Sequence, residues 1–201
     1  GPGTANAGGL VFEFQESDLA VQALAPRLGP VHGGTEVKIT GAGMRPGTSC
    51  VFGDVRVRAA VVSPEEIRCV APAWVGTGAQ DAGPGGATTL VQVEGPGAAA
   101  APLAALAFRY HAAVELRGVS PSSVPDSGGA RLRLAGAGFV STADAACRFL
   151  PAGTLASAAG AAVVTPAIVV DPSTVECWSP RLVPGTYSLA VALNGQDFTP
   201  G

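Results

Sequence analysis

The sequence predicts an all-β chain, built as two small β-sandwiches in tandem. Three observations carry that reading. Gly 28 and Pro 17 among 201 residues fall between short apolar runs, the pattern of many short strands joined by turns. No stretch keeps apolar residues at helical spacing over the roughly 11 residues that a helix assignment needs. The chain also repeats itself. Gly33-Gly34-Thr35-Glu36-Val37-Lys38-Ile39-Thr40-Gly41-Ala42-Gly43 is answered by Gly128-Gly129-Ala130-Arg131-Leu132-Arg133-Leu134-Ala135-Gly136-Ala137-Gly138, an offset of 95 residues (128 − 33). Such a period matches a whole sandwich domain and is too long for a solenoid unit.

Leu10-Val11-Phe12-Glu13-Phe14 resembles Leu106-Ala107-Phe108-Arg109-Tyr110. Residues 1–21 are therefore read as the closing strand of a preceding module and a linker. The first full copy takes residues 22–111 and the second 112–201. In the first, Val37 and Ile39 alternate with Glu36 and Lys38, so Thr35 to Thr40 is an antiparallel strand with one buried face. Cys50 to Phe52, Arg56 to Val62 and Thr89 to Glu94 follow as strands, with Arg56 and Arg58 on a wet face. Leu106 to Tyr110 closes the copy. The second copy repeats this through Leu132 and Leu134, Cys147 to Phe149, Ala162 to Thr165 and Tyr187 to Leu193. It then runs to Gly201 with no closing strand. The chain thus reads as a window from a longer array, with an unpaired sheet edge that invites association. Residues 10 to 15 of one chain are expected to fill that edge in another by strand addition.

Charge and side-chain inventory narrow the function. Lys+Arg 12 against Asp+Glu 15 gives a formal net charge of −3, without the basic stripe of a nucleic-acid binder. No apolar run approaches the ~18 residues of a membrane span. A membrane connection is expected only through parts outside this window. His32 and His111 look like exposed junction residues. No Gly-x-Ser-x-Gly elbow is present, and neither Gly41-Ala42-Gly43 nor Gly136-Ala137-Gly138 completes a phosphate loop. Glu65 and Glu66 suit a turn after Pro64. Asp126 and Asp197 read as isolated acids rather than a calcium loop. No catalytic residue, metal ligand or cofactor site is expected, and the chain is not expected to be an enzyme. Phe52, Phe108, Tyr110 and Phe149 recur at repeat positions and read as core. Trp74 and Trp178 are each either core anchors or exposed contacts.

The four cysteines fall two per copy. The repeat favours Cys50 with Cys69 and Cys147 with Cys177 among the three possible pairings. Paired, they place the chain outside the cell or in the secretory lumen; four buried free thiols are the other reading. The stretches Gly76 to Ala87 and Pro151 to Ala162 interrupt the repeat and look like surface-loop insertions.

With both copies in view, the sequence resembles the immunoglobulin-like IPT/TIG family shared by plexins and transcription factors. The resemblance rests on Pro26 and Pro121, Gly33-Gly34-Thr35, Gly136-Ala137-Gly138-Phe139 and Cys50-Val51-Phe52-Gly53. It continues through Cys69 to Pro72, Cys177 to Pro180 and Asn194 to Phe198. Ala130 and Met44 depart from the pattern. The resemblance implies an extracellular or cell-surface segment that contacts a protein, a glycan or neighbouring copies of itself. The alternatives are an accessory binding module of a secreted polysaccharide-active enzyme and, against the net charge, a DNA-binding domain.

Overall fold

The structure, a computed structural model, describes residues 19–76, 86–96, 105–153 and 162–200. The closing-strand reading of Leu10 to Phe14 lies outside these residues, as do 77–85 and 154–161 within the two expected insertions. The described residues form fifteen strands and no helix. In the first half, β1 (Ala20–Ala25), β3 (Glu36–Ala42), β7 (Glu66–Val70) and β6 (Ala60–Ser63) make a four-stranded sheet in the order β1-β3-β7-β6. β2 (Leu28–Pro30), β9 (Leu106–His111), β8 (Ala87–Glu94), β4 (Ser49–Phe52) and β5 (Val55–Arg58) make a five-stranded sheet in that order.

The alternation in β3 has the expected result. Val37 and Ile39 are fully buried, while Glu36 and Lys38 face solvent. Removing a side chain of this size from water stabilises the fold by about 1.5–3 kcal/mol. Facing them from the other sheet, Phe108 stands edge-on to Phe52 with centroids 5.6 Å apart and to Tyr110 at 5.0 Å. The Tyr110 hydroxyl donates to the Pro72 carbonyl at 2.9 Å. Burial pushes its pKa up to about 12. Cys50 on β4 and Cys69 on β7 join the two sheets, with Cα atoms 6.4 Å apart.

The second half repeats the plan with β10 (Glu115–Ser120), β11 (Arg131–Ala137), β12 (Ala146–Pro151), β13 (Val163–Asp171), β14 (Thr174–Trp178) and β15 (Tyr187–Ala192). β1 and β10 shift register against their neighbours at the same step, between Val21 and Ala23 and between Leu116 and Gly118. Gly33 and Gly128 enter their strands at φ +75 and +76, where a Cβ would come within 2.5 Å of the Pro72 carbonyl carbon and 2.6 Å of the Arg181 nitrogen. Only glycine tolerates both the angle and the contact. Cys147 and Cys177 are joined across this half, with Cα atoms 6.4 Å apart.

Four expectations need correction. Arg56 to Val62 is not one strand: it breaks at Ala59 into β5, which pairs with β4, and β6, which pairs with β7. The second copy passes the same corner without a break. β13 pairs with β12 through Val163–Pro166 and with β14 through Ala167–Asp171, so it runs well past Thr165. A strand that changes sheets must bend there, and periodicity does not show whether pairing survives the bend. Glu65 lies in the turn after Pro64, but Glu66 already belongs to β7. Finally, His111 is buried, because β9 carries it between the two halves.

Candidate functional site

Two features distinguish this chain from a pair of independent sandwiches: a polar junction and an open groove. The junction starts with local chemistry in Asn194-Gly195-Gln196-Asp197. The Asn194 side-chain oxygen accepts from the backbone N–H groups of Gln196 and Asp197 at 3.1 and 2.9 Å, a self-closing Asx turn. Gly195 supplies the positive φ of +75 that the turn needs. The other end of the Asn194 amide donates to the Leu28 carbonyl at 3.0 Å and to the Asp197 carboxylate at 2.6 Å. The hydroxyl of Thr35, fully buried, donates to the same carboxylate at 2.5 Å. Gln196 donates from its amide to the Glu36 carbonyl at 2.9 Å.

The contact is apolar as well. Leu28, a residue of β2, packs in the second hydrophobic core together with Phe139, Val140 and Leu193. Beside it, the carbonyl of His111 accepts from the Val31 N–H at 2.9 Å. The His111 Nδ1 lies 2.7 Å from the Ala112 carbonyl. A carbonyl only accepts, so Nδ1 carries the proton. Burial lowers the His111 pKa, against the Ala112 hydrogen bond and the Asp197 charge, which raise it. Asp197, read from the sequence as an isolated acid, is the centre of this network. A signal was available: Thr35 is Ala130 in the second copy, and Asn194-Gly195-Gln196-Asp197 has no counterpart after Glu94-Gly95-Pro96. Residues at which the copies differ meet at the junction.

The groove lies on the second half. In the first, β9 pairs antiparallel with β8 and in parallel with β2. In the second, β15 ends its sheet, and no described strand pairs with its outer side. The segment matching β2 by the 95-residue offset, Ser123 to Pro125, is exposed. Between them runs a groove of about 650 Å³ lined by Val124, Leu132, Phe149, Leu182, Tyr187 and Leu189 among others. At its inner end Thr199 donates its N–H to the Val191 carbonyl at 2.9 Å, and its hydroxyl accepts from the Val191 N–H at 3.1 Å.

The remaining sequence candidates separate. His32 is exposed, and His111 is buried at the junction. Trp74 packs on Tyr110 with centroids 5.3 Å apart, whereas Trp178 is exposed. Among the described residues no three His, Cys, Asp or Glu side chains converge as metal ligands, and no helix is long and apolar enough to cross a membrane.

Two facing sheets in the first half, and in the second one six-stranded sheet that turns the corner through β13, each half spanned by a cysteine pair, define tandem immunoglobulin-like β-sandwiches. Residues 19–110 match the family described as the IPT/TIG domain, and this first module is an IPT/TIG domain. No curated protein matches the sequence. Among solved structures the chain is similar to the Plexin A4 full extracellular region, domains 1 to 10, with TM-score 0.56 and 17% identity. That match covers 90% of this chain but only 15% of the plexin chain. A second Plexin A4 extracellular structure, domains 1 to 8, gives TM-score 0.48 and 16% identity over 92% of this chain and 17% of that one. SGBP-B from a complex xyloglucan utilization locus in Bacteroides uniformis gives TM-score 0.33 and 18% identity over 89% of this chain and 47% of that one.

Proposed function

We propose that the chain is a non-catalytic structural or adhesive segment of a larger extracellular or cell-surface protein. It would divide into a first sandwich ending near His111 and a second from about residue 112. Its work is contact with a protein or glycan partner, or assembly of chain on chain. The observation that carries this reading is the junction. Asn194, Gln196 and Asp197 bind Leu28 of β2, Glu36 at the start of β3 and Thr35 through three cross-module hydrogen bonds. Leu28 is also shared with the second core. The pair therefore behaves as a stiff spacer that holds loops and edges at fixed separation. Two inter-sheet cysteine pairs support an oxidising compartment. The accessory carbohydrate-binding alternative wants a flat platform of exposed aromatics; Trp74 is packed against Tyr110, leaving Trp178 exposed.

The test is antibody labelling of intact cells that make the full-length protein, with an antibody raised against this segment. Surface labelling without permeabilisation, or recovery of the segment from the medium, is expected. Labelling seen only after permeabilisation would overturn the reading.

A further inference from the structure

The junction turn carries reactive chemistry as well as hydrogen bonds. The chain has two asparagines, Asn6 before Ala7 and Asn194 before Gly195. The side-chain amide carbon of an asparagine is open to attack by the backbone nitrogen of the next residue. Glycine, having no Cβ, hinders that approach least. We infer that Asn194-Gly195 is a deamidation site whose conversion unlatches the two sandwiches while the closed junction holds the reaction back, a role that rests on the stiff-spacer reading above and goes beyond it.

The step needs only water. The Gly195 nitrogen bonds to Cγ of Asn194, the Cγ–Nδ2 bond breaks, and ammonia leaves with the proton from Gly195. Water then opens the cyclic imide at either carbonyl, giving aspartate or isoaspartate. In the closed junction both ends of the Asn194 amide are engaged. Oδ1 accepts from the N–H groups of Gln196 and Asp197 at 3.1 and 2.9 Å. Nδ2 donates to the Leu28 carbonyl at 3.0 Å and to the Asp197 carboxylate at 2.6 Å. Asn194 is also only 7% exposed, so base and water reach it poorly. Turning Cγ onto the Gly195 nitrogen parts these bonds, and the reaction therefore proceeds from the opened junction. When opening and closing are fast relative to the chemistry, the rate follows the open population.

The product does not re-form the latch. A carboxylate at position 194 still accepts from Gln196 and Asp197, but its second oxygen is an acceptor where Nδ2 was a donor. That oxygen faces the Leu28 carbonyl and the Asp197 carboxylate, both acceptors, and the second carries the same charge. Buried polar groups left without a matching partner oppose closure. Isoaspartate goes further, because it inserts an extra backbone carbon into the turn. Gln196 and Asp197 then lose their places against Glu36 and Thr35 as well. The change runs one way, from a stiff pair to a hinged one.

The experiment ages the purified full chain in neutral buffer and counts aspartate and isoaspartate at position 194 by peptide mapping. The native chain is compared with the chain unfolded in urea and with a Thr35→Ala, Gln196→Ala chain, which lacks two cross-module hydrogen bonds. Ala130 already stands at the Thr35 position in the second copy, so the first substitution suits the fold. Conversion should be at least tenfold slower in the native chain than in urea, and at least threefold faster in the doubly substituted chain than in the native one. No conversion in urea, or equal rates in either comparison, overturns the inference. NMR relaxation of Asn194→Asp should then show the two halves tumbling more independently than in the native chain. Should that variant fold poorly, the deamidated fraction separated by charge from aged native chain takes its place. Joint tumbling of the product overturns this inference alone. Independent tumbling already in the native chain overturns the spacer reading and this inference with it.

Discussion

Arg68 and Glu176 occupy the same cross-strand position in the two sandwiches with opposite charge. Arg68 on β7 faces Lys38 on β3, and Glu176 on β14 faces Arg133 on β11. In the first sandwich Arg68 donates to Glu36 and Glu66, at 3.0 and 3.2 Å, while Lys38 approaches Glu66 at 3.6 Å. In the second, Glu176 accepts from Nε of Arg131 at 2.7 Å and Nε of Arg133 at 2.8 Å. One outer face thus solves the like-charge problem twice, with the central charge inverted. The solutions differ in solvent access, since Arg68 is exposed and the Glu176 residue is only 2% exposed.

That difference makes Glu176 the more sensitive site. Glu176→Ala should lower the thermal midpoint of the second sandwich by more than Arg68→Ala lowers that of the first, because it removes the one acceptor that Arg131 and Arg133 share. The drop should be modest, because both guanidinium groups remain open to solvent. Arg68→Ala should change the first only slightly, as exposed ion pairs contribute little. The hydrogen bond from Arg133, then that from Arg131, holds the Glu176 carboxyl below its ordinary pKa of 4.5. A lowered carboxyl pKa stabilises the fold above the ordinary value and loses that contribution as pH falls through the folded one. Differential scanning calorimetry at neutral and acid pH checks both statements. An unchanged acid transition in Glu176→Ala would contradict them.

The junction network predicts a second substitution effect. Asn194→Ala removes the donor to the Leu28 carbonyl and the acceptor for two N–H groups. Leaving such buried groups unsatisfied costs about 1–3 kcal/mol. The loss should appear chiefly as freedom between sandwiches, with the strands intact. NMR relaxation should show the two halves tumbling more independently while the circular-dichroism spectrum is unchanged. Joint tumbling in the variant would show that Leu28 packing alone suffices.

Protonation of His111 should loosen the same contact. Burial lowers its pKa from the ordinary 6.5, so the unfolded chain takes up the proton first as pH falls. The contribution of neutral His111 is therefore complete above 6.5 and declines as pH drops from there towards the folded value. Denaturant midpoints at about pH 7.5 and about pH 5.5 should differ in the native chain, and the difference should shrink in His111→Gln. Equal pH dependence in the two chains would exclude His111 as the source.

Most of this architecture is legible because strands announce themselves locally. Val37, Ile39, Leu132 and Leu134 alternate with charges, and the 95-residue offset sets the number of modules. What periodicity does not encode is the meeting of distant residues. His111 looks exposed in sequence because a lone polar residue after a strand usually is; its burial depends on Leu28 and the second core. Asp197 looks isolated because its partner Thr35 is 162 residues away. The Ala59 break is hidden because β5 and β6 are one apolar alternation in sequence, and only the change of sheet divides them. Trp74 is undecidable until the fold sets it against Tyr110.

The cysteine pairs give a chemical prediction. Peptide mapping without reduction should recover Cys50–Cys69 and Cys147–Cys177 as linked peptides. Replacing Cys50 and Cys69 together by Ala should destabilise the first sandwich by about 3 kcal/mol, the loop-entropy expectation for a closed loop of this size. Because Cys50 and Cys69 are both fully buried, a reductant should act mainly on the unfolded chain. Unfolding midpoints that do not move in the presence of reductant would favour four buried thiols instead.

The unequal edges of the two sandwiches should be directly visible in amide exchange. β8 pairs with β9 over Ala87 to Val91 and with β4 over Val91 to Glu94, so Thr89 and Val91 lie opposite Phe108 and Leu106 of a neighbouring strand. β15 is paired along its length with β12 alone. Its amides alternate in direction: Ser188 and Ala190 turn towards β12, whereas Tyr187 and Leu189 turn outward, as Val191 does when it donates to Thr199. In dilute solution, where chains are apart, Tyr187 and Leu189 should exchange quickly while their immediate neighbours stay protected. Thr89 and Val91, the equivalent residues of β8, should exchange slowly with the rest of their sheet. Exchange tracks the local opening of hydrogen bonds, so the alternation within β15 is a sharper reading than a difference in overall stability. Uniform protection along β15 in dilute solution would mean that the edge is already covered, and would contradict the open groove.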